Sequence, residues 1–347
     1  MALNPRGVRV IGELSGNHGG RIDNAERVID AIAESGAWAV KLQTYTADTM
    51  TLPISDREFR IDDPRSLWAG STLHDLYARA HTPWEWHAPL FRRARERGLV
   101  CFSSPFDELA VNFLETLNCP IYKIASFENC DLPLIRYAAG TGKPLVISTG
   151  MATRDEISEA VVAAREGGAA NVTLLKCTSA YPADPTESNL LTIPALRTQF
   201  GCEVGLSDHT LGIGAAVAAV ALGATMVEKH VTLSRADGGV DSAFSLEPHE
   251  LAQLVREVHA ASEALGGEHW GPTESERASL VFRRSLYFVR DVARGAAITP
   301  EDVRRIRPGY GLPPKYEAIV VGRRASRDVR RGDPVRWEDL EGGGPPA

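Results

Sequence analysis

Apolar positions along the chain follow two periods, and the two alternate. Eight short runs, "VRVIGELS", "AVKLQTY", "LVCFSSPF", "IYKIASFE", "PLVISTG", "NVTLLKCT", "EVGLSDH" and "MVEKHVTL", have the length and β-branched content of buried strands. Between or after them lie stretches whose apolar residues recur at helical spacing. These are "NAERVIDAIAESG", "PLFRRARERG", "LAVNFLETLN", "LPLIRYAAGTG", "RDEISEAVVAAREGG", "LLTIPALRTQF", "GAAVAAVALG" and "ELAQLVREVHAASEALGG". Several end in glycine, and "GMATRDE" sets a threonine three residues before a glutamate, the pattern of a capping box. Eight consecutive strand–helix units predict a (β/α)8 barrel. A doubly wound open sheet is the competitor; the count of eight and the lack of a GxGxxG turn weigh against it. The stretch from Thr46 to Ala80 interrupts the second unit with proline, aspartate and tryptophan, and reads as a lid-like excursion.

The pattern then changes. "RDVARGAAITPEDV" at 290–303 is echoed by "RDVRRGDPVRWEDL" at 327–340. Such a doubling predicts a small pseudo-symmetric β-rich module, each half giving a turn at Arg-Gly and a short 3₁₀ or helical turn at the acidic pair. The expected organisation is therefore a barrel over 1–270, a linker over 271–284 and the doubled module over 285–347.

Composition narrows the class. With 44% hydrophobic and 24% charged residues the chain reads as an ordinary globular protein, and no apolar run approaches the roughly 18 residues of a membrane span. The first residues lack the basic and apolar regions of a secretory leader. The five cysteines are scattered without CxxC spacing, which points to reduced thiols and a cytoplasmic setting, with no disulfide frame and no zinc site. Net charge is −7, unevenly spread: residues 1–284 hold 26 Lys and Arg against 36 Asp and Glu, and residues 285–347 hold 12 against 9. That acidic larger part argues against nucleic acid as a partner.

In such barrels the reacting groups sit at the C-terminal ends of the strands. Here those ends carry Glu13, Lys41 with Gln43, Ser103 with Ser104, Lys123 with Ser126 and Glu128, and Ser148 with Thr149. They continue with Lys176, Thr178 and Ser179, Asp208 with His209, and Glu228 with His230. Lysines and hydroxyls from neighbouring strands make a phosphate or carboxylate pocket, because their donors replace the hydration of a small anion. His209 and His230 close strands seven and eight, which are neighbours roughly 5 Å apart in a barrel. Two imidazole nitrogens, completed by water and substrate oxygens, suit Mn²⁺ or another divalent first-row metal; a closed zinc site asks for more protein ligands. Asp208, Glu228 and Asp241 are candidates to orient these ligands or touch substrate. His81 and His87, in "HTPWEWH", read as packing and capping residues.

The segments "ELSGNHGG", "KLQTYTADTMTL", "CFSSPFDE", "YKIASFEN", "ISTGMAT", "LLKCTSAYP", "GLSDHTLG", "EKHVTLSRADGGVDSAFSLEP" and "RIRPGYGL" resemble, in order, the sialic acid synthase family, most closely its pseudaminic acid synthase branch. The family's C-terminal module resembles type III antifreeze protein (the SAF domain), in agreement with the doubled segment. The resemblance implies condensation of phosphoenolpyruvate with an N-acetylated amino sugar, a diacetamido-trideoxy-altrose in this branch, to a nine-carbon 2-keto acid and phosphate. It implies that His209 and His230 bind the metal, usually Mn²⁺. Lys41, Ser104, Lys123, Ser126, Ser148 and Ser207 match positions that hold phosphoenolpyruvate, and Gln43, Tyr181 and Asp241 match sugar-contacting positions. Glu13 and Glu128 match active-site carboxylates. Arg307 matches an arginine that the C-terminal module inserts into a partner's barrel, so a domain-swapped homodimer is implied. Where sialic acid synthases often read "CTNLYP" this chain reads "CTSAYP", so Ser179 replaces a binding asparagine.

Two enzyme alternatives stand beside this expectation: an N-acetylneuraminate or legionaminate synthase on the same scaffold, and a barrel aldolase forming a Schiff base on Lys123 or Lys176. A third reading, a carbohydrate- or ice-binding module on a degenerate barrel, leaves the polar strand ends without a purpose.

Overall fold

The computed structural model describes residues 7–344. It forms two compact units, one ending at Gly266 and one beginning at Gly267. In the first, eight parallel strands close in chain order: β1 (Arg9–Glu13), β2 (Ala39–Thr44), β3 (Val100–Pro105), β4 (Tyr122–Ile124), β5 (Leu145–Ser148), β6 (Val172–Cys177), β7 (Glu203–Ser207) and β8 (Met226–His230), with β8 pairing back onto β1. The expected barrel is thus observed unit for unit.

Burial follows from the sequence period. The helix Ile22–Glu34 buries Ala25, Val28, Ile29 and Ile32, one stripe at helical spacing, against the barrel wall. Thr153 and Glu156 make the expected capping box, the Thr153 N–H donating to the glutamate carboxylate at 2.7 Å and the Glu156 N–H to the threonine hydroxyl at 3.3 Å. Strand alternation sorts the polar residues of β8. Glu228 and His230 line the barrel mouth, while Lys229 faces the other way and donates to the Asp208 carboxylate at 2.9 Å.

Several boundaries differ from the sequence reading, and two have a clear local reason. The helix expected over "PLFRRARERG" begins earlier, at Trp84: the Pro83 carbonyl accepts from the Trp86 N–H at 3.0 Å, and Pro89 is accommodated in the second turn. The strand expected over "IYKIASFE" stops at Ile124, and Ser126–Glu128 forms a 3₁₀ turn that carries both polar side chains into the mouth. The 46–80 excursion holds two short helices, Ala47–Met50 and Leu73–Ala80, and its Trp68 indole donates to the Val240 carbonyl at 3.0 Å.

The second unit pairs β9 (Ser285–Phe288) antiparallel with β10 (Val303–Ile306). Its internal repeat is a structural one. Val292 and Val329 exchange both backbone hydrogen bonds at 3.0 Å. The Arg294 N–H donates to the Asp328 carboxylate at 2.7 Å, and the Arg331 N–H to that of Asp291 at 2.8 Å. The Arg-Gly turns place Gly295 and Gly332 at φ of 78° and 95°, a region glycine enters without steric cost. Only the second acidic pair forms a 3₁₀ turn (Trp337–Asp339). Among the described residues no helix is long and apolar enough to cross a membrane.

Candidate active site

A cavity of about 330 Å³ opens at the C-terminal ends of the strands. Barrel closure sets its floor. In register, β1 lies between β2 and β8, so Glu13 has Lys41 on one side and His230 on the other. Lys41 reaches Glu13 at 3.1 Å and Glu228 at 2.9 Å, and Lys123 lies 3.4 Å from Glu228. These four ionisable side chains are all buried, each no more than 3% exposed. Burial opposes their charge. Even so, His230 and Lys41 hold the Glu13 carboxyl well below the usual range, and Lys123 and Lys41 hold that of Glu228 below it. Lys41 is pushed up despite burial, by Glu13 and Glu228. Lys123 moves the other way, because burial outweighs Glu228 and Lys41 repels it. The lysine charges are thus already matched by two carboxylates, a pairing the sequence did not reveal.

Glu128 differs from the other carboxylates. Burial pushes its carboxyl up to about 7 against the pull of Lys123, and its Oε2 has no hydrogen-bond partner. Other buried atoms without a partner gather nearby: the hydroxyls of Ser104 and Ser148, Glu228 Oε2 and His230 Nδ1. Buried polar atoms in native proteins are normally paired, so this concentration marks where a polar ligand belongs. Gly150 permits the close packing beside it, since a Cβ there would meet Ser126 Cβ at 2.4 Å.

Thirteen of the fifteen expected site residues line the cavity: Glu13, Lys41, Gln43, Lys123, Ser126, Glu128, Ser148, Ser179, Tyr181, Ser207, His209, His230 and Asp241. Ser104 lies just behind, fully buried and in register with Gln43. Arg307 is exposed in the second unit, after β10. Lys176 is absent from the lining; its ammonium donates to the Cys177 carbonyl at 2.8 Å and to the Thr178 hydroxyl at 3.1 Å. His87 is buried and bonded to the Thr44 hydroxyl at 2.8 Å, the structural role expected of it. The sequence reading missed Ser15, Tyr45, Trp68, Tyr77 and Phe106. Three of these stand in or beside the 46–80 excursion, where no periodic signal says which side chains turn inward.

The two imidazoles stand with ring centroids 5.4 Å apart. His209 Nδ1 donates to the Thr178 carbonyl at 2.9 Å, and the ring also bonds the Cys177 thiol. Against the burial of both groups, that contact holds the imidazole up and pulls the thiol down to about 7. His230 Nε2 lies 3.1 Å from Glu13 Oε2, while its Nδ1 is buried without a hydrogen-bond partner. Among the described residues no group of three or more His, Cys, Asp or Glu is arranged to hold a metal. Two imidazoles are fewer ligands than a closed site needs; they would suit a divalent ion that takes its remaining ligands from water and substrate. Around it Tyr181 packs on His209 at 4.6 Å, on Phe244 at 5.2 Å and on Trp68 at 5.8 Å, forming an aromatic wall.

A closed parallel barrel with carboxylates, lysines and paired imidazoles converging on one mouth defines a (β/α)8 enzyme that handles an anionic substrate. Residues 28–269 match the model of the NeuB family and residues 283–341 that of the SAF domain; the chain belongs to the NeuB family and carries a C-terminal SAF domain. It is 42% identical over 335 residues to a pseudaminic acid synthase of Helicobacter pylori, covering 96% of this chain and 98% of that one. To a pseudaminic acid synthase of Campylobacter jejuni it is 40% identical over 334 residues, covering 96% and 97%. Among solved structures it resembles the N-acetylneuraminic acid synthetase of Leptospira borgpetersenii, with a TM-score of 0.71, 30% identity and coverage of 81% of this chain and 94% of that one.

Proposed function

We propose that this chain condenses phosphoenolpyruvate with the open-chain form of a diacetamido-trideoxy-altrose, giving pseudaminic acid and phosphate. The observation that carries this reading is the set of unpartnered buried polar atoms around a charged floor, in a chain 42% identical to a pseudaminic acid synthase across nearly its whole length.

In the reaction, C3 of phosphoenolpyruvate forms the new bond to the sugar aldehyde carbon and C2 becomes cationic. Water adds at C2 and phosphate leaves with the electron pair of its C2–O bond, while one water proton passes to the alkoxide left by the aldehyde and the other to the departing phosphate. Lys41 and Lys123, with the hydroxyls of Ser104, Ser126, Ser148 and Ser207, hold the phosphate and carboxylate and stabilise the departing dianion. Gln43, Tyr181, Asp241 and Ser179 face the sugar. His209 and His230 would hold Mn²⁺ or a similar ion, which supplies Lewis-acid polarisation of the aldehyde when bound. Glu128 takes the proton of the attacking water, because its carboxyl near 7 titrates in the working range while Glu13 stays ionised. Two further points belong to this proposal. The reaction is cytoplasmic, and the protein acts as a domain-swapped homodimer with Arg307 completing a partner's site, an assembly that sedimentation measures directly.

The test is phosphate release by the EDTA-stripped enzyme with Mn²⁺ restored or withheld, with the altrose derivative and N-acetylmannosamine side by side. Mn²⁺-dependent turnover of the altrose sugar supports the proposal; turnover of N-acetylmannosamine alone overturns the substrate. The pH profile tests the base. Because Glu128 must be ionised to accept a proton, kcat/KM should rise with pH through about 7. In Glu128→Gln that limb should vanish and the rate drop by about 10²-fold or more. A variant that keeps the limb assigns the proton transfer elsewhere.

A further inference from the structure

Asp241 is held to the end of β1 at two separate points. Its backbone N–H donates to Asn17 Oδ1 at 3.2 Å; Asn17 Nδ2 in turn donates to the Val231 carbonyl at 3.0 Å and the Ser245 hydroxyl at 2.8 Å, and Ser245 donates to the Asp241 carbonyl at 2.7 Å. These bonds place the main chain. The carboxylate is held separately: the Ser15 hydroxyl donates to Asp241 Oδ2, and the same hydroxyl accepts from Gln43 Nε2 at 3.2 Å. Gln43 Nε2 also donates to Glu13 Oε1 at 2.7 Å. A single hydroxyl thus joins the walls contributed by β1, β2 and the segment after β8, and Asp241 Oδ2 stands 3.6 Å from His230 Nδ1.

Ser15 occupies an unusual backbone position for this task. Its φ is 47°, in the left-handed region where a Cβ crowds the following carbonyl and glycine carries no penalty. The residue is buried and lines the cavity. A side chain that persists where its absence would relax the backbone is one whose atoms are used, and here both hydrogen-bonding faces of the hydroxyl are occupied inside the site. The bond geometry also fixes Gln43, whose NH₂ is committed to Glu13 and Ser15, so its amide oxygen is the atom turned elsewhere.

We infer that Ser15 is a positioning residue for the sugar half of the site, setting the Asp241 carboxylate and the Gln43 amide oxygen as paired acceptors for hydroxyl and acetamido N–H donors of the substrate. This rests on the amino-sugar reading above. The Ser15 hydroxyl makes no hydrogen bond to Lys41, Lys123 or the strand-end serines of the phosphoenolpyruvate half; its nearest link to them runs through Gln43 and Glu13.

The experiment compares Ser15→Ala and Ser15→Gly with the wild type by steady-state kinetics in each substrate and by thermal unfolding. Both variants lose the hydroxyl, whereas only glycine relaxes the backbone. The expected result is a rise in KM for the sugar of about tenfold or more in both, with KM for phosphoenolpyruvate changed less than about twofold. Ser15→Gly should melt at or above the wild type and above Ser15→Ala. An active wild type whose variants keep its sugar KM would overturn the inference alone. So would a loss that tracks the melting temperature, since that is the mark of a merely structural residue. A wild type inactive with both sugars would overturn the function proposal and this inference together.

Discussion

Glu228→Gln is expected to lose about 3–5 kcal/mol of stability, among the largest changes a single substitution can produce in this chain. Glu228 touches both buried lysines, Lys41 at 2.9 Å and Lys123 at 3.4 Å, while Lys41 has Glu13 as a second partner. Amidation keeps the shape but leaves two ammonium groups with one carboxylate, in a place where water cannot compensate. Chemical denaturation would read the loss as a shifted midpoint at constant slope. Adding Lys123→Met should recover much of it, and the interaction energy of that double-mutant cycle is the decisive number. A dianionic ligand supplies the missing charge, so phosphoenolpyruvate should stabilise Glu228→Gln more than it stabilises the wild type. A loss below about 1 kcal/mol would instead mean that Lys123 is neutral in the empty enzyme, the direction in which its burial already pushes it.

His209→Ala and His230→Ala are expected to lower turnover by about 10³-fold or more, since a Lewis acid contributes several kcal/mol and each 1.36 kcal/mol is a decade in rate. The two should not be identical. His230 lies 3.1 Å from Glu13 and contributes to holding that carboxyl down, so its removal also raises the Glu13 carboxyl toward the usual range. His209 is anchored on the Thr178 carbonyl and packs against Tyr181, so its removal loosens the aromatic wall. Each variant should bind Mn²⁺ at least about tenfold more weakly, measured by the loss of the free-ion paramagnetic signal on titration. Full activity in either variant after EDTA treatment would overturn the metal assignment.

Much of this was legible in the sequence. The barrel followed from two alternating periods, and thirteen of the expected site residues reach one cavity because strand alternation and the loops after the strands carry them to the same mouth. Register was not legible. That Glu13 lies between Lys41 and His230 depends on how the last strand closes against the first, a relation between residues more than two hundred positions apart. The lysines therefore read as free anion ligands when they are paired with glutamates. Trp68 and Tyr77 were missed because the excursion that carries them has no period. Ser15 was missed because nothing in "ELSGNH" announces a left-handed serine. Glu128 was one of two carboxylates that sequence could not tell apart; both are desolvated, but His230 and Lys41 outweigh that at Glu13 whereas Lys123 does not at Glu128.

The doubled module has a consequence for how it could be taken apart. Its halves exchange equivalent bonds: Val292 with Val329, Arg294 to Asp328 as Arg331 to Asp291. That is the arrangement of an isologous dimer whose two copies have been joined into one chain. Each half satisfies part of the other's backbone, so neither should be a folding unit alone. Cut in the loop between them, the two fragments should be unstructured apart and should reassemble when mixed, as two subunits do.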